Sequence, residues 1–232
     1  MGFSGPVSAL IEDDPLLAKL PVNARKAVLD KAVRQRVRAG ESLYHIGDPA
    51  GGIYLVLSGG MRVEIATGTL NTFIAHFLPT GIWFGEPSAL TGQPRMVGVS
   101  AAQDSELLHV SLPNLNQLIA NDPEILRHLA VITQFHLRTA IGAIADLMIR
   151  DTTARFIATL MRLAGIRDGA KHGERFDVFF SQEEIAAMAN VARTTANSIL
   201  RSLEKDGLIE ITYRHIVIID EAGLRARLEN ST

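Results

Sequence analysis

Apolar and polar positions along this chain change period twice, and the changes mark out its parts. Near the N-terminus, Asp14-Pro15 has the form of a helix cap followed by a first helical proline, which predicts short helices running to about Val33. From Arg36 to Val110 the period shortens. Runs that are β-branched or alternating cover Ser42 to His45, Ile53 to Leu57, Met61 to Ala66, Thr72 to Phe77 and Glu106 to Val110, and glycine or proline breaks each from the next. Many short strands with such turns predict a compact antiparallel sandwich or barrel. The alternation of helix and strand that builds a parallel nucleotide-binding sheet is missing, as is any clear repeat.

Helical periodicity returns at Asp122-Pro123, where a long helix is expected to run to about Arg150. Leu137, Ile141, Ile144 and Met148 are spaced four, three and four residues apart, the spacing of a seam for a second helix. Packing of that face on the chain's own β-domain is the plainer alternative, and pairing with a second copy is the reading carried forward. A second helix, Thr153 to Leu163, follows Asp151; the glycine-rich stretch Gly165 to Gly173 then leads into strand-like Phe176 to Phe180. The expected division is residues 1–121 for N-terminal helices and β-domain, 122–150 for the long helix, and 151–232 for a C-terminal domain.

That last domain carries the most specific pattern. At the start of Gln182 to Ile209, the preceding Ser181 forms a capping box with Glu184, Ile185 and Met188 give an apolar face, and Asn190 stands where a tight turn needs a left-handed residue. On the following helix Ala196, Ile199, Leu200 and Leu203 share one side, while Arg193, Thr194, Asn197, Ser198 and Arg201 share the other. Arginine pairs bidentately with guanine and asparagine with adenine, whereas hydroxyls serve bases or phosphates. Ser181, Gln182 and Thr195 border this face and join it as expected DNA contacts. Leu208 to Ile219 reads as a β-hairpin turning at Tyr213, Arg214 and His215, a winged arrangement whose Arg214 reaches a phosphate backbone. An ordinary solvated helix face is the alternative for the hairpin of helices taken alone.

Composition narrows the picture further. Nearly half of the 232 residues are apolar and none is cysteine, which removes disulfides, thiolate zinc and iron–sulfur clusters together. The net charge of −2 does not advertise nucleic-acid binding, so a local basic patch must carry it. No apolar run has the length of a membrane span, the N-terminus lacks a basic segment followed by an apolar signal core, and Pro6 spoils an acylation motif at Gly2, so a cytoplasmic location is expected. Nucleophile–base pairs and metal-spaced clusters are absent from the sequence, which argues against an enzyme.

Within the β-region, Phe84 to Arg95 (FGEPSALTGQPR) brings backbone amides, a carboxylate and a guanidinium into one short segment. Amides and a guanidinium suit a phosphate, and a carboxylate accepts from a ribose hydroxyl. A surface loop closed by a Glu86–Arg95 ion pair is the simpler alternative. With Gly47-Asp48, Leu57-Ser58-Gly59, this cassette, the long helix, Asp151 to Arg155 and the helix-turn-helix, the chain resembles transcription regulators of the cyclic-AMP receptor protein and fumarate–nitrate reductase regulator superfamily. The resemblance implies an α+β fold: an N-terminal cyclic-nucleotide-binding-like antiparallel β-roll, a long dimerisation helix and a C-terminal winged helix-turn-helix. It also implies a homodimer, double-stranded DNA and RNA polymerase as partners, and an effector site at Gly85, Glu86, Ser88, Ala89, Arg95, Met96, Ala140 and Ile141, with Glu86 on ribose and Arg95 on phosphate.

Departures from the family pattern bear on the ligand. Cyclic-AMP-binding members carry Ser or Thr after the cassette arginine and Thr-Ser on the dimer helix, where this chain has Met96, Ala140 and Ile141. A cyclic nucleotide is thus one candidate effector, a ligand-free β-roll is an alternative, and a haem sensor using His128 or His136 is a lesser one. Resembling regulators also carry Glu and a second Arg where Thr194 and Ser198 stand, so the DNA half-site is expected to depart from the usual one.

Overall fold

Residues 20–66, 68, 72–167, 176–212 and 215–229 are described by a computed structural model. Asp14-Pro15 and the wing-tip pair Tyr213 and Arg214 lie outside them. The chain divides into two compact units, Met1–Leu137 and Arg138–Thr232.

Among the described residues of the first unit, helix α1 (Val22–Lys31) precedes eight strands: β1 (Val33–Val37), β2 (Ser42–Tyr44), β3 (Gly52–Ser58), β4 (Gly60–Ala66), β5 (Thr72–Pro79), β6 (Trp83–Phe84), β7 (Gly98–Ala101) and β8 (Ser105–Ser111). They pair antiparallel as two four-stranded sheets, β1-β8-β3-β6 and β2-β7-β4-β5. Helix α2 (Glu86–Thr91) lies between β6 and β7, and α3 (Leu112–Asn121) follows β8. The long helix α4 (Glu124–Leu147) begins in this unit and ends in the next.

Strand β3 shows why this layering forms. Its residues from Gly52 to Leu57 are all buried, because successive side chains point to opposite faces and both faces are covered. Ile53, Leu55 and Leu57 pack with Val28, Leu115, Leu118, Ile125 and Leu129 of the helices. Tyr54 and Val56 pack with Met61, Leu78, Phe84 and Val99 between the sheets.

In the second unit, α5 (Thr152–Leu163) is capped by Asp151, whose side chain accepts from Ala154 N at 2.7 Å, and is buried along most of its length. Around it stand β9 (Phe176–Val178), α6 (Gln182–Met188), α7 (Arg193–Lys205), β10 (Ile209–Thr212), β11 (His215–Ile218) and α8 (Glu221–Glu229), with α6, α7 and α8 all in contact with α5. The sheet order β10-β11-β9 makes the wing.

Several elements differ from the sequence reading. The N-terminal helix stops at Lys31, and Val33 already belongs to β1, an edge strand whose side chains are exposed up to Val37 and which carries no periodic signal. Strands β6 and β7 are likewise too short to show one. Helix α3 was not anticipated, since Pro113, Asn114 and Asn116 are weak helix formers; proline is nonetheless tolerated in the first helical turn, where its N–H would have no partner. Helix α8 presents only Leu224 and Leu228 to the core.

Candidate functional site

The DNA-facing motif is built locally. Ser181 Oγ accepts from Glu184 N at 3.2 Å and Glu184 Oε2 accepts from Ser181 N at 2.7 Å, closing the expected capping box. Asn190 takes φ 51°, the left-handed conformation that the turn between α6 and α7 requires. Arg155, from α5, donates to Ala189 O at 2.8 Å on that turn and to Ile149 O at 2.8 Å before α5, so one guanidinium ties the turn to the start of the domain. Sequence reasoning noted Arg155 only as part of a motif; its role depends on contacts distant in the chain.

On α7 the two faces separate as expected. Ala196, Ile199, Leu200 and Leu203 are buried, whereas Arg193, Thr194, Ser198 and Arg201 are exposed. Thr195 and Asn197 are half-buried, and the Asn197 Oδ1 is buried without a hydrogen-bond partner, so this asparagine sits lower than the helical wheel suggests. Arg193 lies 3.7 Å from Glu183, with both side chains about 70% exposed, an ion pair weak enough for a phosphate or base to replace. Gln182 is half-exposed and the Ser181 hydroxyl is engaged by its cap. His215 at the wing stacks on Phe179, with ring centroids 4.7 Å apart.

The cassette in the β-domain is no surface loop. Glu86 and Arg95 are both buried, and among the described residues no ion pair joins them. Gly85 turns the chain into α2 with φ 93°. Arg95 donates through Nη1 to Gly85 O at 2.8 Å and through Nη2 to Gly52 O at 3.0 Å, while its Cζ lies 4.2 Å from the Tyr44 ring centroid. Its Nε is buried without a partner. Burial pushes the Tyr44 phenol far above its ordinary value and raises that of Tyr54, in each case against the lowering pull of Arg95. Tyr54 stacks in turn on Phe84 and His109.

Other expected effector residues divide. Ser88 Oγ donates to Pro94 O at 3.3 Å and braces the cassette from end to end, Ala89 belongs to the helix-side core, and Met96 is 75% exposed. Ala140 and Ile141 on α4 are exposed. What meets the cassette carboxylate from α4 is instead His136, whose Nδ1 stands 3.0 Å from Glu86 Oε1, with Thr133 Oγ1 at 3.3 Å. The sequence had offered His136 only as a haem ligand. No sequence signal linked it to Glu86, fifty residues away.

The seam residues Leu137, Ile141, Ile144 and Met148 are 52%, 56%, 61% and 77% exposed, so the chain's own core does not take up this face. Among the described residues no helix is long and apolar enough to cross a membrane.

A two-sheet β-domain with a buried carboxylate and guanidinium, a long helix with an apolar seam, and a capped helix-turn-helix with a wing are together the make-up of a DNA-binding transcription regulator. Known proteins agree. A family model described as a cyclic nucleotide-binding domain matches residues 34–122, and one described as a Crp-like helix-turn-helix domain matches residues 154–227. The chain belongs to the Crp/Fnr superfamily of transcription regulators. It is similar to the cAMP-activated global transcriptional regulator CRP of Pasteurella multocida, at 28% identity over 76% of this chain and 85% of that one. The cAMP-activated global transcriptional regulator Vfr of Pseudomonas aeruginosa is 25% identical over 80% of this chain and 88% of its own length. Among solved structures, a CRP/FNR-family transcriptional regulator from Thermus thermophilus has TM-score 0.65 at 26% identity, covering 86% of this chain and 100% of that one. FixK2 from Bradyrhizobium japonicum shares the fold with TM-score 0.71 at 21% identity, covering 86% of this chain and 96% of that one.

Proposed function

We propose that this protein is a cytoplasmic, homodimeric, effector-responsive transcription regulator, not an enzyme, that reads double-stranded DNA with α7 and acts on RNA polymerase. The observation that carries this reading is α7, whose apolar side is wholly buried while Arg193, Thr194, Ser198 and Arg201 stand exposed opposite it. Two such helices in a two-fold dimer meet successive major grooves about 34 Å apart. Pairing through Leu137, Ile141, Ile144 and Met148 supplies the two-fold axis. The wing adds backbone contacts, with Arg214 expected at its tip.

In the β-domain, a small anionic effector fits the residues present: Arg95 has a buried Nε without an acceptor and Glu86 a buried Oε2 without a donor. A cyclic nucleotide offers both a phosphate and a ribose hydroxyl, and the similar CRP and Vfr proteins are named as cAMP-activated. Effector binding then shifts the population of dimers whose α7 helices match the DNA spacing. A second reading, a ligand-free β-domain serving as scaffold, is favoured by the Arg95 terminal nitrogens, which already donate to the carbonyls of Gly85 and Gly52. The haem alternative keeps His136 as its candidate: Nδ1 is engaged by Glu86, as the second nitrogen of a ligating histidine commonly is, and Nε2 is buried without a partner.

Selection from a random DNA pool tests the regulator reading. A two-fold site with an essential guanine in each half is expected, and Arg193→Ala should lose roughly 1 to 3 kcal/mol of discrimination at that base. Since Thr194 and Ser198 are too short to serve as carboxylate acceptor or second guanine fork, the half-site should depart from the family's at the positions those residues face. Arg193→Ala with unchanged specificity refutes the reading face.

A further inference from the structure

The two acids in the first turn of α6 have different fates. Glu184 is committed to the capping box, its Oε2 accepting from Ser181 N at 2.7 Å. Glu183, beside it, has a side chain 73% exposed and reaches across to the next helix, where its Oε2 lies 3.7 Å from Arg193 Nη1. The turn makes this approach possible: Asn190 at φ 51° and the Arg155 bond to Ala189 O fix where α7 starts relative to α6. With both partners exposed, the pair adds little to folding, so stability does not account for it.

A carboxylate in this setting needs a reason. Arg193 opens the exposed face of α7, whose other members Thr194, Ser198 and Arg201 carry no negative charge. A phosphate backbone docking on that face meets Glu183 as a like charge. On a duplex, Arg193 has two kinds of partner. A phosphate takes it by charge and, being the same in every sequence, gives no discrimination. Guanine takes it through the neutral acceptors O6 and N7, which engage only part of the guanidinium's fork of N–H donors. Guanine therefore leaves donors for Glu183, whereas a phosphate on Arg193 stands against the carboxylate. As water leaves the interface the effective dielectric falls, so the attraction of Arg193 to Glu183 and the repulsion between Glu183 and phosphate both grow.

We infer that Glu183 is a specificity-determining positioning residue of the DNA interface: it holds Arg193 back from phosphates and leaves it available to guanine. The inference rests on the DNA-reading role of α7 given above and adds α6 to the elements that set sequence preference. The carboxylate itself need not touch a base. It acts by making the wrong partner of Arg193 costly.

Fluorescence anisotropy on the full-length protein tests this with the two-fold site selected from the random pool, the same site with the essential G·C pair of each half exchanged for A·T, and a duplex of unrelated sequence. The wild-type protein should prefer the selected site to the exchanged one about tenfold or more. Glu183 is exposed and takes no part in the capping box, so Glu183→Ala keeps the fold. This variant should bind the unrelated duplex about threefold more tightly or better, and its preference for guanine should shrink to about threefold or less. Made on top of Arg193→Ala, the same change should alter binding of the unrelated duplex by less than about twofold, since Glu183 then has no arginine to hold. A carboxylate that merely repels DNA would tighten every duplex alike, with or without Arg193, and one that merely supports α6 would weaken every duplex alike. Either result overturns the inference while the reading face stands. A wild-type protein indifferent to the guanine overturns the reading face and the inference with it.

Discussion

At Gly85 the backbone takes φ 93°, and a Cβ placed there would lie 2.8 Å from Gly52 O and 2.9 Å from Arg95 Nη1. The position has neither the conformation nor the room for a side chain, because the carbonyls of Gly85 and Gly52 are drawn in to receive the Arg95 guanidinium. Gly92, at the other end of the same short helix, has φ 70° but open space around its Cβ position. The two glycines separate backbone strain from crowding. Gly92→Ala should cost about 1 kcal/mol through the left-handed conformation alone. Gly85→Ala adds a clash with backbone and a charged group, and should cost on the order of 2 to 3 kcal/mol. Urea denaturation of both variants checks the order, and equal losses would show that the Arg95 cradle yields freely.

Among the elements, α4 and α5 are held together by a buried charge cluster. Asp146, in the last turn of α4, is 1% exposed and accepts from Arg162 Nε at 2.9 Å and Arg167 Nε at 3.2 Å. Arg162 is itself buried on α5, so truncating the aspartate strands a cation in the interior. Asp146→Ala should destabilise the protein by about 3 to 5 kcal/mol, much more than an exposed pair such as Arg127–Glu124 would lose. Thermal unfolding of Asp146→Ala beside Glu124→Ala measures the contrast. A small loss in the first would mean that Arg162 finds water or another acceptor.

For the whole molecule, the exposed row from Leu137 to Met148 decides assembly. Four large apolar side chains on one helical stripe, each more than half exposed, are a poor surface for an isolated chain and a suitable seam for a second copy. Ile141→Glu combined with Ile144→Glu places two charges on that stripe. The double variant should sediment as a monomer and bind a two-fold DNA site at least tenfold more weakly, since each half-site is then bound separately. Unchanged sedimentation would assign the stripe to another use.

The parts of this protein set by neighbours close in sequence were legible without a structure. The capping box at Ser181 and Glu184, the left-handed Asn190 and the apolar side of α7 each depend on residues within a few positions, so spacing alone reveals them. The longer strands β3, β4, β5 and β8 showed themselves as β-branched or alternating runs. Helix α3, with its proline and asparagines, and the exposed strand β1 did not, because tertiary packing and backbone pairing with β8 override weak local preference there. The pocket divides in the same way. That Glu86 and Arg95 belong together was visible in the cassette, but their burial, their separate partners and the approach of His136 were decided by the tertiary structure, since a hydrogen bond between residues fifty positions apart leaves no periodic trace in the chain.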